Sequence, residues 1–222
     1  MAFKTFTTAF ILPLLLLACG KADQDGEEAD NGATASERAG NAAPAPPATP
    51  KDPEEEDALA LAALTPEGWG PLKIGMTLAE IGAALGPDAD PGAVGGAEPS
   101  VCDQFRPARA PRGLLVMVEK GRLSRVSLIN DSPVRTDKGL GVGDGAGEVA
   151  GAYGAAAITS PHEYVGKPAA YMDAWVGGGG GSGSASVTAP SARGIRYEID
   201  GKGVVSAIHA GGPSIQYVEG CS

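Results

Sequence analysis

Apolar and polar positions divide the chain at about Pro66. Beyond that point Leu78, Ile81 and Leu85 recur at the spacing of one helical face. Thr77 precedes them and Glu80 follows three residues later, the pair a capping box needs. Gly86 and then Pro87 supply the stop. Leu114 to Glu119 is a continuous apolar run, Lys120-Gly121 turns, and Leu123 to Ile129 returns, which predicts a hairpin. A second helix is expected after Asp144, its candidate cap. Gly145 and Gly147 each cost such a helix roughly 1 kcal/mol against alanine, so it should be shorter or looser. Ala170 to Val176 alternates, with Tyr171 and Trp175 on one side and Met172 on the other. Ile195, Tyr197 and Ile199 alternate with Arg196 and Glu198, a half-buried strand. Asp200-Gly201 opens a turn, Val204 to His209 returns, and Ile215 to Val218 is expected to add an edge strand.

Two stretches repeat this grammar. Leu72-Lys73-Ile74-Gly75 leads through Glu80-Ile81 to Gly86, and Leu140-Gly141-Val142-Gly143 leads through Glu148-Val149 to Gly154. Arg112-Gly113-Leu114 and Arg193-Gly194-Ile195 then open the strands of each half. The expected class is therefore α+β, with two tandem helix-plus-antiparallel-meander modules over 66–133 and 134–222.

The run Gly75-Met76-Thr77-x-x-Glu80-Ile81-x-x-x-Leu85-Gly86, with Pro87 next, resembles the opening of the small lipoproteins of the outer-membrane β-barrel assembly machinery. It is also similar to the helix-then-sheet modules that stand in tandem in the secreted β-lactamase inhibitor protein. The resemblance covers about 15 residues per half and implies a non-catalytic module that binds other envelope proteins. The second half departs from it at Gly145, where a threonine would be expected. The long tether and the closing cysteine point to a separate group of proteobacterial lipoproteins.

Composition adds a compartment. Residues 1–18 carry Lys4 and then an apolar core from Ala9 to Leu17, too short to span a bilayer comfortably and suited to a signal peptide. Leu16-Leu17-Ala18-Cys19-Gly20 resembles a lipobox, which implies cleavage before Cys19 and lipidation of that cysteine. Several acyl chains hold a protein at a membrane where one does so only marginally. Gly20, in place of aspartate, implies the outer membrane by the same resemblance, with the domain on the periplasmic side. Residues 19–65 have no aromatic residue and are rich in Ala, Pro, Asp and Glu. Such a segment cannot offset its ordering entropy and is expected to be a disordered acidic tether. It holds −8 of the chain's net −10, so the expected fold is only mildly acidic.

Candidate chemistry is sparse. Cys102 and Cys221 are the two cysteines not assigned to lipid, and in an oxidising compartment they read as a disulfide, with free thiols or an interchain bond as alternatives. His162 and His209 read as a loop and a strand-end histidine, with no ligand cluster for a metal, and no cofactor is expected. Gly177 to Ser186 lacks the lysine of a phosphate loop and reads as a flexible loop, so no nucleotide is expected. The charge and the compartment also speak against nucleic acid. Arg106, Arg109, Arg112, Lys120, Arg122 and Arg125 cluster near the first hairpin. They suggest a docking face for an anionic partner, against the blander reading of solvent-facing strand positions. Trp175, among several tyrosines of the second half, is a candidate for stacking on a sugar ring, or else a core residue. The expectation is a non-catalytic envelope lipoprotein that binds or scaffolds another component. The alternatives are an inhibitor of a periplasmic or cell-wall hydrolase and a glycan- or small-ligand-binding module.

Overall fold

A computed structural model describes residues 59, 61–93, 95–178 and 186–221. The expected leader 1–18, Cys19, the expected tether up to residue 58 and most of the Gly177–Ser186 run lie outside the described residues. The fold is α+β, with two complete α-helices among the described residues and antiparallel sheet dominating. Neither helix is long and apolar enough to cross a membrane.

The domain begins earlier than composition suggests. Leu59 and Ala62 pack on the core and Leu64 is fully buried, all within the expected tether. Leu64–Thr65 (β1), Gly68–Trp69 (β2) and Leu72–Lys73 (β3) form a small sheet that alternation did not reveal, because each strand has only two residues. Trp69 is buried and its indole N–H donates to the Ala62 carbonyl at 2.9 Å.

Leu78–Leu85 is the first helix (α1), and its capping box is formed. Thr77 Oγ1 accepts from Glu80 N–H, and Glu80 Oε2 accepts from Thr77 N–H at 2.7 Å. Ile81 and Leu85 are buried, but Leu78 is 53% exposed beside Pro87 and Phe105. The second helix, Ala146–Tyr153 (α2), also has eight residues, so of the expected shorter or looser helix it is not the shorter one. Its start is held from outside by Ala146 N–H on the Gly203 carbonyl (3.0 Å) and Val205 N–H on the Asp144 carbonyl (2.8 Å). Asp144 does not cap it. Gly145 is the N-cap, and the Asp144 carboxylate instead accepts from Gly141 N–H and Arg135.

Seven strands make one antiparallel sheet. They are Cys102–Phe105 (β4), Leu114–Glu119 (β5), Arg122–Ile129 (β6), Ala157–Pro161 (β7), Ala170–Trp175 (β8), Gly194–Ile199 (β9) and Val205–Gly211 (β10), in the order β4-β5-β6-β10-β9-β8-β7. β6 and β10, the last strands of the two halves, pair at the centre. One face carries Val116, Val126, Leu128, Ile195, Tyr197, Ile199 and Ile208, which join Leu64, Trp69, Leu72, Ile81, Leu85 and Val149 in a single core.

The segment expected as an edge strand, Ile215 to Val218, does not pair. Pro213–Gln216 is instead a 3-10 turn. Gly211, at φ +144°, bends the chain off β10, and any Cβ there would meet the Ser124 carbonyl oxygen at 2.3 Å. Pro213 then has no N–H to offer a ladder. The C-terminal segment is turned onto the second face of the sheet.

Candidate functional site

Strand register gathers the polar side chains on that second face. Leu115, Ser127, His209, Arg196, Asp173 and Ile158 stand in one rank across six strands. Ala207, Glu198, Tyr171 and Ser160 form the next rank. Gln104, Met117, Arg125, Gly211, Gly194 and Trp175 form the rank on the other side. The period-2 rule that aims Tyr197 into the core aims Arg196 and Glu198 here.

Arg196 clamps Asp173 with two hydrogen bonds, Nε to Oδ1 at 2.7 Å and Nη2 to Oδ2 at 2.8 Å. It also donates to the Gln216 carbonyl at 3.1 Å and lies 4.6 Å from the Tyr171 ring centroid. Arg125 donates through Nη1 to the carbonyls of Ser214 and Tyr217, both at 3.1 Å, and through Nη2 to Gln104 at 2.8 Å. Burial lowers the Arg125 pKa to about 10, which leaves the guanidinium charged at neutral pH. Two buried arginines thus hold three carbonyls of the C-terminal segment. The Cys102–Cys221 disulfide, with Cα atoms 5.4 Å apart, ties down its end.

Both histidines of the chain meet on one carboxylate, a convergence that reading each histidine separately missed. His162 Nε2 donates to Glu198 Oε1 at 3.1 Å. Its Nδ1 accepts from the backbone N–H groups of Tyr164 and Val165, which assigns the ring proton to Nε2. The ring stacks on Tyr171 at 4.7 Å. His209 Nε2 stands 3.9 Å from Glu198 Oε2, an ion-pair distance and too long for a hydrogen bond. Its Nδ1 shares a 2.8 Å hydrogen bond with Ser127 Oγ. Glu198 is held down to about 2, by His209 first and then by His162 against partial burial. His209 is pushed down to about 4, by burial first and then by the charge of Arg125, against the pull of Glu198.

Serine, histidine and glutamate in series invite comparison with a nucleophilic triad. Ser127 is only 3% exposed, which leaves no approach to its hydroxyl. Among the described residues no group of three or more His, Cys, Asp or Glu is arranged to hold a metal ion. Its proton places His162 Nε2 as a donor to Glu198, not as a free ligand.

The arginines of the first half do not converge. Arg125 is 3% exposed and inside the fold, so it cannot belong to a docking face; its charge is spent on the C-terminal segment. Arg109 donates to the carbonyls of Ala83 and Ala84 at the end of α1. Arg112 pairs with Asp131, and Arg122 donates to the Gly75 carbonyl at 2.9 Å. Arg106 is half-buried just past β4. Trp175 is 8% exposed because its ring lies over Gly194, where a Cβ would come within 2.7 Å of it. That burial removes the face a sugar would need.

An exposed surface lies at the far end of the C-terminal segment. Ala97, Glu98, Val101, Cys102, Glu119 and the 217–221 segment line an open groove of about 630 Å³. Val101, Tyr217 and Val218 are 47%, 46% and 41% exposed there. The lining residues include Glu98, Glu119 and Glu219 and no lysine or arginine. Tyr164, itself exposed, extends the surface by donating its hydroxyl to Glu219.

Fold and site together define an α+β protein in which the sheet face opposite the apolar core is covered by the chain's own C-terminal segment. Compared with protein-family models, curated proteins and solved structures, the chain matches none.

Proposed function

We propose that the protein is a non-catalytic envelope lipoprotein, anchored through Cys19 at the periplasmic side of the outer membrane, whose domain binds another envelope protein. The observation that carries this reading is the apolar cluster of Val101, Tyr217 and Val218, exposed yet mounted on a disulfide and on Arg125. Contiguous apolar side chains on a rigid frame mark interaction sites. The polar constellation, by contrast, spends most of its groups on one another and on the C-terminal segment. The tether of residues 19–65 is then a spacer that gives the domain reach from the lipid surface.

The tandem reading belongs to the same proposal. α1 leads into β4-β5-β6 and α2 into β7 and then β8-β9-β10, and the two meanders join through their last strands. That order supports two related modules fused into one sheet, with β7 an addition to the second.

A photo-crosslinker at Val218 in living cells tests the function. The expected result is one dominant envelope protein, captured with the native anchor and lost when Cys19→Ala releases the chain. A probe at the exposed Ala150 of α2 should not capture it. Capture of nothing from Val218, or of the same proteins from both positions, would defeat the reading.

A further inference from the structure

We propose that the groove between Val101 and the 217–221 segment takes a cationic, aliphatic stretch of polypeptide from the partner. This rests on the protein-binding reading and names the chemistry of the partner. The sign of the charge follows from where the ions of this region point. Arg109 and Arg122 donate to backbone carbonyls, Arg112 pairs with Asp131 and Arg125 is buried beneath the C-terminal segment, and none of the four lines the groove. Glu98, Glu119 and Glu219 do line the groove, Glu219 also accepting from the Tyr164 hydroxyl. Carboxylates at the rim of an apolar floor steer and orient a partner of opposite charge.

The floor is aliphatic. Val101 and Val218 flank the disulfide, and Tyr217 supplies one aromatic face. That composition fits branched side chains such as valine or leucine, interspersed with lysine or arginine.

The frame is set before anything binds. Lys120 N–H donates to the Val101 carbonyl at 2.8 Å, Arg125 holds the Tyr217 carbonyl at 3.1 Å, and Cys102–Cys221 joins the two walls. A preformed groove loses little order on binding. Tyr164 on Glu219 extends one wall toward the loop that carries His162, so a bound segment has a surface to follow beyond the groove.

The probe is a short synthetic peptide alternating lysine and valine, with a glutamate–valine peptide as its opposite. Both are titrated into the exported full chain carrying Cys19→Ala, and backbone amide shifts are read by NMR. The lysine peptide should shift the amides of Val101, Cys102, Tyr217 and Val218 and bind more weakly as salt rises. Glu98→Gln, Glu119→Gln and Glu219→Gln together should weaken it about tenfold with the melting temperature unchanged, since glutamine keeps the shape of each side chain. Val218→Asp should weaken it as well, through loss of the floor. Equal binding of both peptides, binding by neither, or shifts confined to another surface would overturn the proposal. The in-cell crosslink separates this failure from the broader one. Capture at Val218 that survives the triple glutamine change would leave a protein-binding lipoprotein with a partner of different chemistry. No capture by the native chain would remove both.

Discussion

On one face of the seven-stranded sheet, Val126, Leu128, Ile195, Tyr197 and Ile208 meet Trp69, Ile81, Leu85 and Val149 through apolar contact. On the other face, Arg125 and Arg196 hold the C-terminal segment by hydrogen bonds to its carbonyls, with Asp173, Glu198, His162 and His209 packed around them. The first cover is held by a force that is non-directional and proportional to area. The second is held by a few directional bonds between charged and polar groups. One face should therefore yield to substitution gradually, and the other should fail at single residues and respond to pH.

The largest expected effect removes the covalent part of the second cover. The disulfide spans 119 residues of sequence, and loop-entropy models assign a closure of that size about 4 to 5 kcal/mol. Cys102→Ser with Cys221→Ser should lower the urea midpoint by a corresponding amount. A loss below about 1 kcal/mol would mean that the arginine bonds alone hold the segment.

Next comes the clamp beneath it. Asp173→Ala leaves Arg196 buried without its carboxylate and should cost about 3 to 5 kcal/mol. Asp173→Leu with Arg196→Met removes both charges and should recover most of that loss. Leu128→Ala on the opposite face should cost about 2 to 5 kcal/mol with no partner change able to restore it. Equal losses from the single and double changes at Asp173 would erase the distinction between the faces.

The polar face should also carry most of the acid sensitivity. His209 is held at about 4 rather than 6.5, so on acidification the unfolded chain takes up that proton first. Its contribution, on the order of 3 kcal/mol, is full above about pH 6.5 and is lost as pH falls toward 4. Glu198, held at about 2 rather than 4.5, adds stability that is full above about 4.5 and is lost as pH falls toward 2. Both act in one direction, and Ser127, Arg125, Arg196 and His162 are the other polar or charged groups facing the pair. Melting temperature measured from pH 7 downward should fall, and His209→Asn should flatten the upper step. An unaltered slope in that variant would remove His209 as the cause.

The first face was the more legible in the sequence, and the reason is locality. The capping box of Thr77 and Glu80, the Ile81 and Leu85 pair, and the runs Leu114–Glu119 and Leu123–Ile129 are periodic signals within a few residues, and each marks an element of the structure. Alternation in Ile195 to Ile199 separated core from polar positions correctly. It could not show that the polar side is also covered, because its cover arrives from Ser214 to Tyr217, some 20 residues on in sequence. The meeting of His162 and His209 on Glu198 was hidden for the same reason: it depends on the long connection before β8 and on the register of β9 with β10. Arg125 shows the cost of reading charge without burial. On β6 it alternates outward as a solvent-facing residue would, yet it lies under the segment that its own hydrogen bonds retain.

The smallest effect asks whether the C-terminal segment is also held from its own side. Gln216 donates to the carbonyls of Val187 (2.7 Å) and Pro213 (3.0 Å) and accepts from Val187 N–H (2.9 Å), so its amide joins the turn to the chain entering β9. Gln216→Ala removes those bonds but leaves the Gln216 backbone carbonyl for Arg196. The expected loss is about 1 kcal/mol. It should appear as faster hydrogen exchange at Val187, Ile215 and Tyr217, with the amides of β6 and β10 unchanged, because the opening is local. If β6 and β10 exchange faster too, the segment and the sheet open as one unit. The second cover would then be as integral to the fold as the first.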